Sequence, residues 1–311
     1  MSKSIALIGG SGFIGTNLAN FFIEKEYDVL VIGRSLINKE RFLSDKIKTS
    51  LIDVNHTSKL LEVIDGYDNV VWLVNNLLPS LKMDSLVDDF NLNVSPLVKF
   101  LELCKDSKMK RFIFVSSGGT IYGDSVDNNF FTENCEAKPI SAYGMSKIIS
   151  ENYVEYITRK TNFDSYILRP SNVYGNFQNL LKPQGIIGYA FNAVLNDTTI
   201  ELFGEGMVTR DFVHVFDFAS AIERCIENTW AGRKVEKYNV GSQNGYTIKQ
   251  IIDLIKEITD KDISTVSKPL REFDCLYNVL DISKIKNNLG WNPKIDIKDG
   301  LESVWKWMSI K

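Results

Sequence analysis

The chain has 311 residues, 44% hydrophobic and 24% charged, enough for one large domain or two smaller ones with a sizeable core. A net charge of −3 offers no basic face for nucleic acid, and no apolar run is long enough to span a membrane. Cys104, Cys135, Cys225 and Cys275 are scattered without CxxC spacing, and His56 and His214 are the only histidines, so neither a disulfide framework nor a metal site is expected.

Ser4–Ile8 is an apolar run closed by Gly9-Gly10, as in a buried strand, and no signal-peptide pattern precedes it; with the unpaired cysteines this suggests a cytoplasmic protein. Ile14–Lys25 has helical spacing through Ile14, Leu18, Phe21 and Phe22. Asp28–Ile32, Lys48–Ile52, Asn69–Val74 and Arg111–Ser116 read as strands, and Ser85–Lys105 and Ala142–Lys160 as long helices. Tyr166–Leu168 adds a strand that ends at Arg169-Pro170. Strands alternating with helices predict an α/β, Rossmann-type doubly wound parallel sheet over residues 1–170. Farther on, Ile186–Leu195 reads as a helix, Arg210–Val215 as a strand, Phe216–Asn228 as a helix and Lys237–Val240 as a short strand. Ile248–Thr259 is helical, Leu289-Gly290-Trp291-Asn292-Pro293 stops a helix, and Gly300–Met308 is the last amphipathic helix. A smaller, mixed α/β C-terminal part is expected from residues 171–210 and 244–311, with 211–243 returning to the first part.

Gly10-x-Gly12-x-x-Gly15 follows a strand and opens a helix, the context of a dinucleotide-binding turn. Gly9 and Gly12 leave room for a pyrophosphate to approach the backbone. Gly15 lets the helix pack close, and Phe13 and Ile14 present N–H groups at the positive end of the helix. The second strand ends in Gly33-Arg34-Ser35, with no acid to bind a ribose 2′-OH; Arg34 can instead pair with a 2′-phosphate. NADP(H) is therefore favoured, with NAD(H) the alternative. Asp53, beside Val54 at the end of the third strand, is placed for an adenine amino group, or serves only as a turn aspartate.

Tyr143 and Lys147 stand four apart, on one face if a helix begins near Tyr143. A phenol near an ammonium is expected to have a lowered pKa and to exchange a proton near neutral pH. Together with the glycine turn, this predicts hydride chemistry at a carbonyl or hydroxyl carbon.

The ordered runs Gly9–Gly15, Ser116-Ser117-Gly118-Gly119-Thr120-Ile121-Tyr122-Gly123, Tyr143–Lys147, Leu168–Gly175, Arg210–Val215 and Asn239-Val240-Gly241 resemble the extended short-chain dehydrogenase/reductases. The closest kind is the nucleotide-sugar epimerase, dehydratase and reductase group, and the resemblance covers nearly the whole chain. It implies that Tyr143 exchanges a proton at the sugar C4 oxygen, while Lys147 bonds the nicotinamide ribose. The position where relatives carry a catalytic hydroxyl is Gly118 here, with Thr120 and then Ser117 as substitutes. Asn75 or Asn76 is implied to touch the cofactor ribose. For a nucleotide-diphosphate sugar the resemblance implies Arg210 and Arg271 at the phosphates, Asp274 at the ribose, Asn172 near sugar or phosphate, and Gln184 and Phe203 at the base. It also implies a possible homodimer through the helices at Ser85–Lys105 and Ala142–Lys160. The Thr-Asp-Glu triplet of 4,6-dehydratases is missing, so dehydration ranks low. The expectation is reduction of a 4-keto-6-deoxysugar nucleotide by NAD(P)H. The alternative is an NAD-dependent 4-epimerase like UDP-glucose 4-epimerase, and a non-catalytic protein would not need the Tyr143–Lys147 pair.

Overall fold

A computed structural model of the chain describes residues 3–35, 38–75, 85–125, 127–178, 185–228, 234–271 and 275–309. The strands are β1 (Ser4–Ile8), β2 (Asp28–Gly33), β3 (Lys48–Leu51), β4 (Asn69–Trp72), β5 (Arg111–Val115), β6 (Asp164–Pro170) and β7 (Asn172–Tyr174). They continue as β8 (Ile200–Phe203), β9 (Thr209–His214), β10 (Val235–Val240), β11 (Gly245–Thr247), β12 (Thr265–Lys268) and β13 (Tyr277–Asn278). The helices are α1 (Phe13–Glu24), α2 (Thr57–Ile64), α3 (Leu86–Asp89), α4 (Ser95–Leu103), α5 (Gly118–Ile121) and α6 (Ala142–Thr158). After them come α7 (Ile186–Asn196), α8 (Val215–Glu227), α9 (Ile248–Thr259), α10 (Ser283–Leu289) and α11 (Ile297–Ser309).

Seven strands form a parallel sheet in the order β10-β6-β5-β4-β1-β2-β3. This is the Rossmann-like architecture expected from the alternating pattern. The order in which strands are added reverses between β1 and β4, and the glycine turn leaves β1 at that point. Helices cover both faces, so β1 is buried at every residue and β4 likewise. On one face Leu18 and Phe22 of α1 meet Phe218 and Ile222 of α8 over Leu7, Val31 and Ile113. On the other, Leu60, Leu97, Phe100 and Val154 pack over Ile8, Val70 and Phe112. Each fully buried Phe contributes roughly 1.5–3 kcal/mol by leaving water.

A third core joins α7, α9 and α11 through Ile187, Phe191, Ile251, Ile255 and Leu301. A capping box starts α9: Thr247 Oγ1 accepts from Gln250 N at 3.1 Å, and Gln250 Oε1 accepts from Thr247 N at 2.8 Å. Small sheets lie beside this core, β11-β9-β13 with β7 on β9, and β12-β8.

Several elements differ from the sequence reading, among them α2, which it did not contain. The single helix expected at 85–105 carries a π-helical stretch, Phe90–Val94, between α3 and α4. Pro96 lies at the start of α4 and has no N–H to offer the preceding turn, so the hydrogen-bond ladder widens there. β6 runs beyond both ends of 166–168, because β5 and β10 pair with it from either side. Finally, α11 starts at Ile297, with Gly300 inside it; a Cβ on Gly300 would sit 2.1 Å from Tyr174 Oη. Among the described residues, no helix is long and apolar enough to cross a membrane.

Candidate active site

A cleft of about 550 Å³ runs along the carboxyl ends of β1, β2, β4, β5 and β6. Its floor is the turn after β1. Gly9 takes φ +80°, and Gly9 N and Gly10 N both donate to Ile32 O, at 2.9 and 3.0 Å. A Cβ on Gly9 would lie 2.8 Å from Val74 N, and one on Gly15 would lie 2.3 Å from Gly10 Cα. Gly12 is different: its Cβ would meet nothing within 4 Å, so its backbone faces open space. Gly12 caps α1 without a side-chain hydrogen bond, and Phe13, Ile14 and Gly15 line the cleft at that helix end. An uncapped helix start with open backbone suits a pyrophosphate, so these residues fit a dinucleotide.

Arg34 and Ser35, both exposed, form the wall beyond β2. Asp53 and Val54 line the cleft beyond β3, but Asp53 Oδ1 already accepts from Asn55 N at 2.8 Å and Asn55 Nδ2 at 2.9 Å. Asp53 therefore holds its own turn as well as facing the cleft. Asn75 lines the wall after β4; Asn76 lies outside the described residues.

The opposite wall belongs to α6. Ser141 caps it by accepting from Gly144 N at 3.2 Å, which places Tyr143 in the first turn and Lys147 one turn on. Both line the cleft, with Ser117 facing them from the end of β5. The Ser117 hydroxyl is close enough to the Tyr143 phenol to pull its pKa down. Lys147 Nζ donates to Val115 O at 2.9 Å and lies 5.6 Å from the centroid of the Tyr143 ring.

The expected effect of Lys147 on the phenol is corrected here. Burial pushes the Tyr143 pKa up to about 12, against a lowering pull from the Ser117 hydroxyl. The ammonium sits over the ring and bonds a carbonyl, so it does not offset the desolvation of a phenolate. Lys147 itself is 7% exposed; burial brings its pKa down to about 8, opposed by the Glu151 charge. Tyr143 thus keeps its proton at neutral pH.

The choice between hydroxyls is also corrected. Thr120, ranked first from the sequence, does not line the cleft, and its Oγ1 is buried with no hydrogen-bond partner among the described residues. Ser117 is the hydroxyl at Tyr143. The cause is local: α5 begins at Gly118, directly after Ser117, and turns Thr120 away. No side chain fits at Gly118, where a Cβ would lie 2.6 Å from Leu280 Cδ1 and 2.9 Å from Arg169 O.

Of the residues implied for a sugar nucleotide, Asn172 lines the cleft while its Nδ2 donates to Asp211 O at 2.9 Å. Arg210, Arg271 and Phe203 do not line this cleft. Arg210 Nη1 donates to Cys275 O at 2.7 Å, and the Arg271 guanidinium lies 4.4 Å from the centre of the Phe203 ring. Gln184 and Asp274 fall outside the described residues. Sequence reading missed Glu151, a further turn along α6, which accepts from Arg169 Nη2 at 2.6 Å with both groups buried. The signal was present as a third member of the four-residue spacing of Tyr143 and Lys147.

The model of the NAD dependent epimerase/dehydratase family matches residues 5–241. A provisional UDP-glucose 4-epimerase of Methanocaldococcus jannaschii is 32% identical, over 98% of this chain and 98% of its own. A dTDP-4-dehydro-6-deoxyglucose reductase of Escherichia coli is 27% identical, over 99% of this chain and 98% of its own. The crystal structure of Thermotoga maritima UDP-glucose 4-epimerase with UDP-glucose superposes with a TM-score of 0.90 at 29% identity, covering 99% of both chains. Glycine turn, parallel sheet and Tyr143–Lys147 wall agree with those relationships, and the chain belongs to the NAD dependent epimerase/dehydratase family, as an enzyme of its nucleotide-sugar epimerase, dehydratase and reductase kind.

Proposed function

We propose that the enzyme is an NADPH-dependent ketoreductase acting at C4 of a nucleotide-linked 4-keto-6-deoxyhexose. The observation that carries this reading is the wall after β2, where Arg34 and Ser35 face the cleft in place of an acid. A guanidinium there pairs with a 2′-phosphate, and a cofactor that arrives reduced and leaves oxidised suits net reduction. Gly9, Gly12, Phe13, Ile14 and Gly15 would hold the pyrophosphate, with Asp53, Val54 and Asn75 along the same wall. When bound, the reduced nicotinamide supplies the hydride for the ketone carbon. Ser117 and Tyr143 hold the ketone oxygen, and Tyr143 gives it a proton as charge develops there. A half-buried phenol whose pKa is pushed up to about 12 supports that direction of transfer. Lys147 would bond the nicotinamide ribose and hold its place beside the tyrosine.

Residues 1–170 with 211–243 serve in this reading as the dinucleotide-binding part, and 171–210 with 244–311 as the sugar-nucleotide part. Asn172, Arg210, Arg271 and Phe203 would take the nucleotide-diphosphate end. The full-length similarity to the Escherichia coli reductase supports the assignment. The similarity to the Methanocaldococcus jannaschii and Thermotoga maritima proteins favours a second reading, a 4-epimerase that oxidises and re-reduces C4 with retained NAD. Purified protein with TDP- or UDP-linked 4-keto-6-deoxyglucose and NADPH separates them. Stoichiometric loss of reduced-nicotinamide absorbance is expected. No loss, with interconversion of UDP-glucose and UDP-galactose, would establish the epimerase instead.

A further inference from the structure

We propose that Glu151 is a positioning residue that keeps Lys147 aimed and charged at the cleft wall; this rests on the reading of Tyr143 and Lys147 as the reacting pair. The geometry is a three-rung grip between the end of β5 and one stripe of α6. Tyr143, Lys147 and Glu151 succeed one another at single turns along α6. Three consecutive residues opposite take one each. Ser117 lies beside the Tyr143 hydroxyl, Val115 O accepts from Lys147 Nζ at 2.9 Å, and Ser116 Oγ donates to Glu151 Oε1.

Glu151 is the rung that cannot move. It is 1% exposed, and Arg169 donates to it from Nε at 3.0 Å and from Nη2 at 2.6 Å. Arg169 is fixed in turn by Nη1 donating to Tyr122 Oη at 2.8 Å. Tyr122 Oη donates to Asn239 Oδ1 at 2.7 Å, and Asn239 N donates to Glu133 Oε1 at 2.7 Å. The network therefore anchors the middle of α6 to β6 and β10. Lys147 depends on this anchor because its own bond is to a neutral carbonyl.

The groups around Lys147 explain why a carboxylate is needed. Phe114 and Val115 of β5 bring a ring and a carbonyl, and Tyr143 brings a neutral phenol. Arg169 of β6 brings positive charge, which Glu151 faces directly. Asp89, in the helix alongside, is bonded by Ser146. Burial drives Lys147 toward its neutral form, and Glu151 is the charge that opposes this. Without it, Lys147 would lose the charge that favours its ammonium, and Arg169 its buried counter-ion.

The test uses full-length protein, wild type and Glu151→Gln, with [ε-13C]lysine. The Lys147 resonance, assigned through Lys147→Met, is titrated by NMR without substrate. In folded Glu151→Gln the Lys147 midpoint should drop by about one pH unit. Turnover at pH 7 should fall about tenfold with KM within about twofold, and Glu151→Asp should recover part of the loss. A folded Glu151→Gln protein with a wild-type midpoint overturns the proposal. If circular dichroism shows that this variant is unfolded, Glu151→Gln with Arg169→Gln leaves neither buried ion unpaired. The midpoint should lie below that of Arg169→Gln alone, which lacks the same arginine charge, and equal midpoints in these two variants again overturn the proposal. Because the titration needs no substrate, it can fail while Tyr143 retains its role. A fully active Tyr143→Phe enzyme would instead reject the hydride reading, whatever Lys147 does.

Discussion

Tyr143 is where burial and a neighbouring hydroxyl act against each other. A phenol removed from water holds its proton, and one hydroxyl from Ser117 only partly offsets that. Deleting the phenolic oxygen removes the donor and leaves the packing, so Tyr143→Phe should lower turnover by about 10²–10⁴ in the NADPH assay. A variant with near-normal rates would remove Tyr143 from the chemistry. Arg34 poses a separate question, because it touches only the adenosine end of the cleft in this reading. Arg34→Ala should weaken NADPH binding by about tenfold or more and leave NADH nearly unchanged, as read by nucleotide fluorescence titration. Equal losses for both dinucleotides would show that the guanidinium meets no 2′-phosphate. Residue identity made both groups legible in the sequence. The choice of Ser117 over Thr120 was not, because it depends on α5 starting at Gly118, only two residues after β5.

Among the elements, the inner strands of the large sheet, β1 and β4 foremost, were readable because both of their faces are buried, which makes them largely apolar runs. The later strands gave no such signal. β12 is Thr-Val-Ser-Lys and exposed throughout, and β13 has two residues. Only backbone pairing with β8 and β9 defines them. α1 and β1 meet at Gly15, where a methyl group would strike the Gly10 backbone. Gly15→Ala should therefore cost about 1–3 kcal/mol in urea unfolding and weaken dinucleotide binding in parallel. α6 carries a pH signature of its own. Lys147 titrates near 8 in the fold and at its ordinary 10.5 when unfolded, so the unfolded chain binds the extra proton between those values. Stability should rise with pH across that window, with the full penalty present below pH 8. Tyr143 acts in the opposite sense: with its pKa up at about 12 from 10.0, it makes stability fall as pH climbs between those values. Lys147→Met should raise stability at pH 7 by about 3 kcal/mol and flatten the rise between pH 8 and 10. An unchanged urea midpoint at pH 7 would contradict a charged, buried lysine.

At the scale of the molecule, the outer surfaces of α3, α4 and α6 leave apolar side chains in water. Leu86, Leu103, Met145, Tyr153 and Tyr156 are all exposed there, on helices that pack side by side. A second copy is the proposed cover. Sedimentation equilibrium should then give twice the 35.3 kDa chain mass, and Leu103→Glu with Tyr153→Glu should return it to one. A wild-type protein that stays at one chain mass at micromolar concentration would leave those helices as ordinary surface.

The rim of the large sheet is completed late. β10 aligns six residues with β6, Val235 to Ser165 through Val240 to Pro170, yet the two are separated in sequence by β7, α7, β8, β9 and α8. On the ribosome, β6 must therefore wait with a bare flank while some seventy more residues are made. Translation pauses or early stop codons in that interval would leave a nearly finished nucleotide fold with one sticky border, open to chaperones and to wrong neighbours. A released fragment ending shortly before Val235 should for this reason be far more prone to aggregation than one ending shortly after Val240.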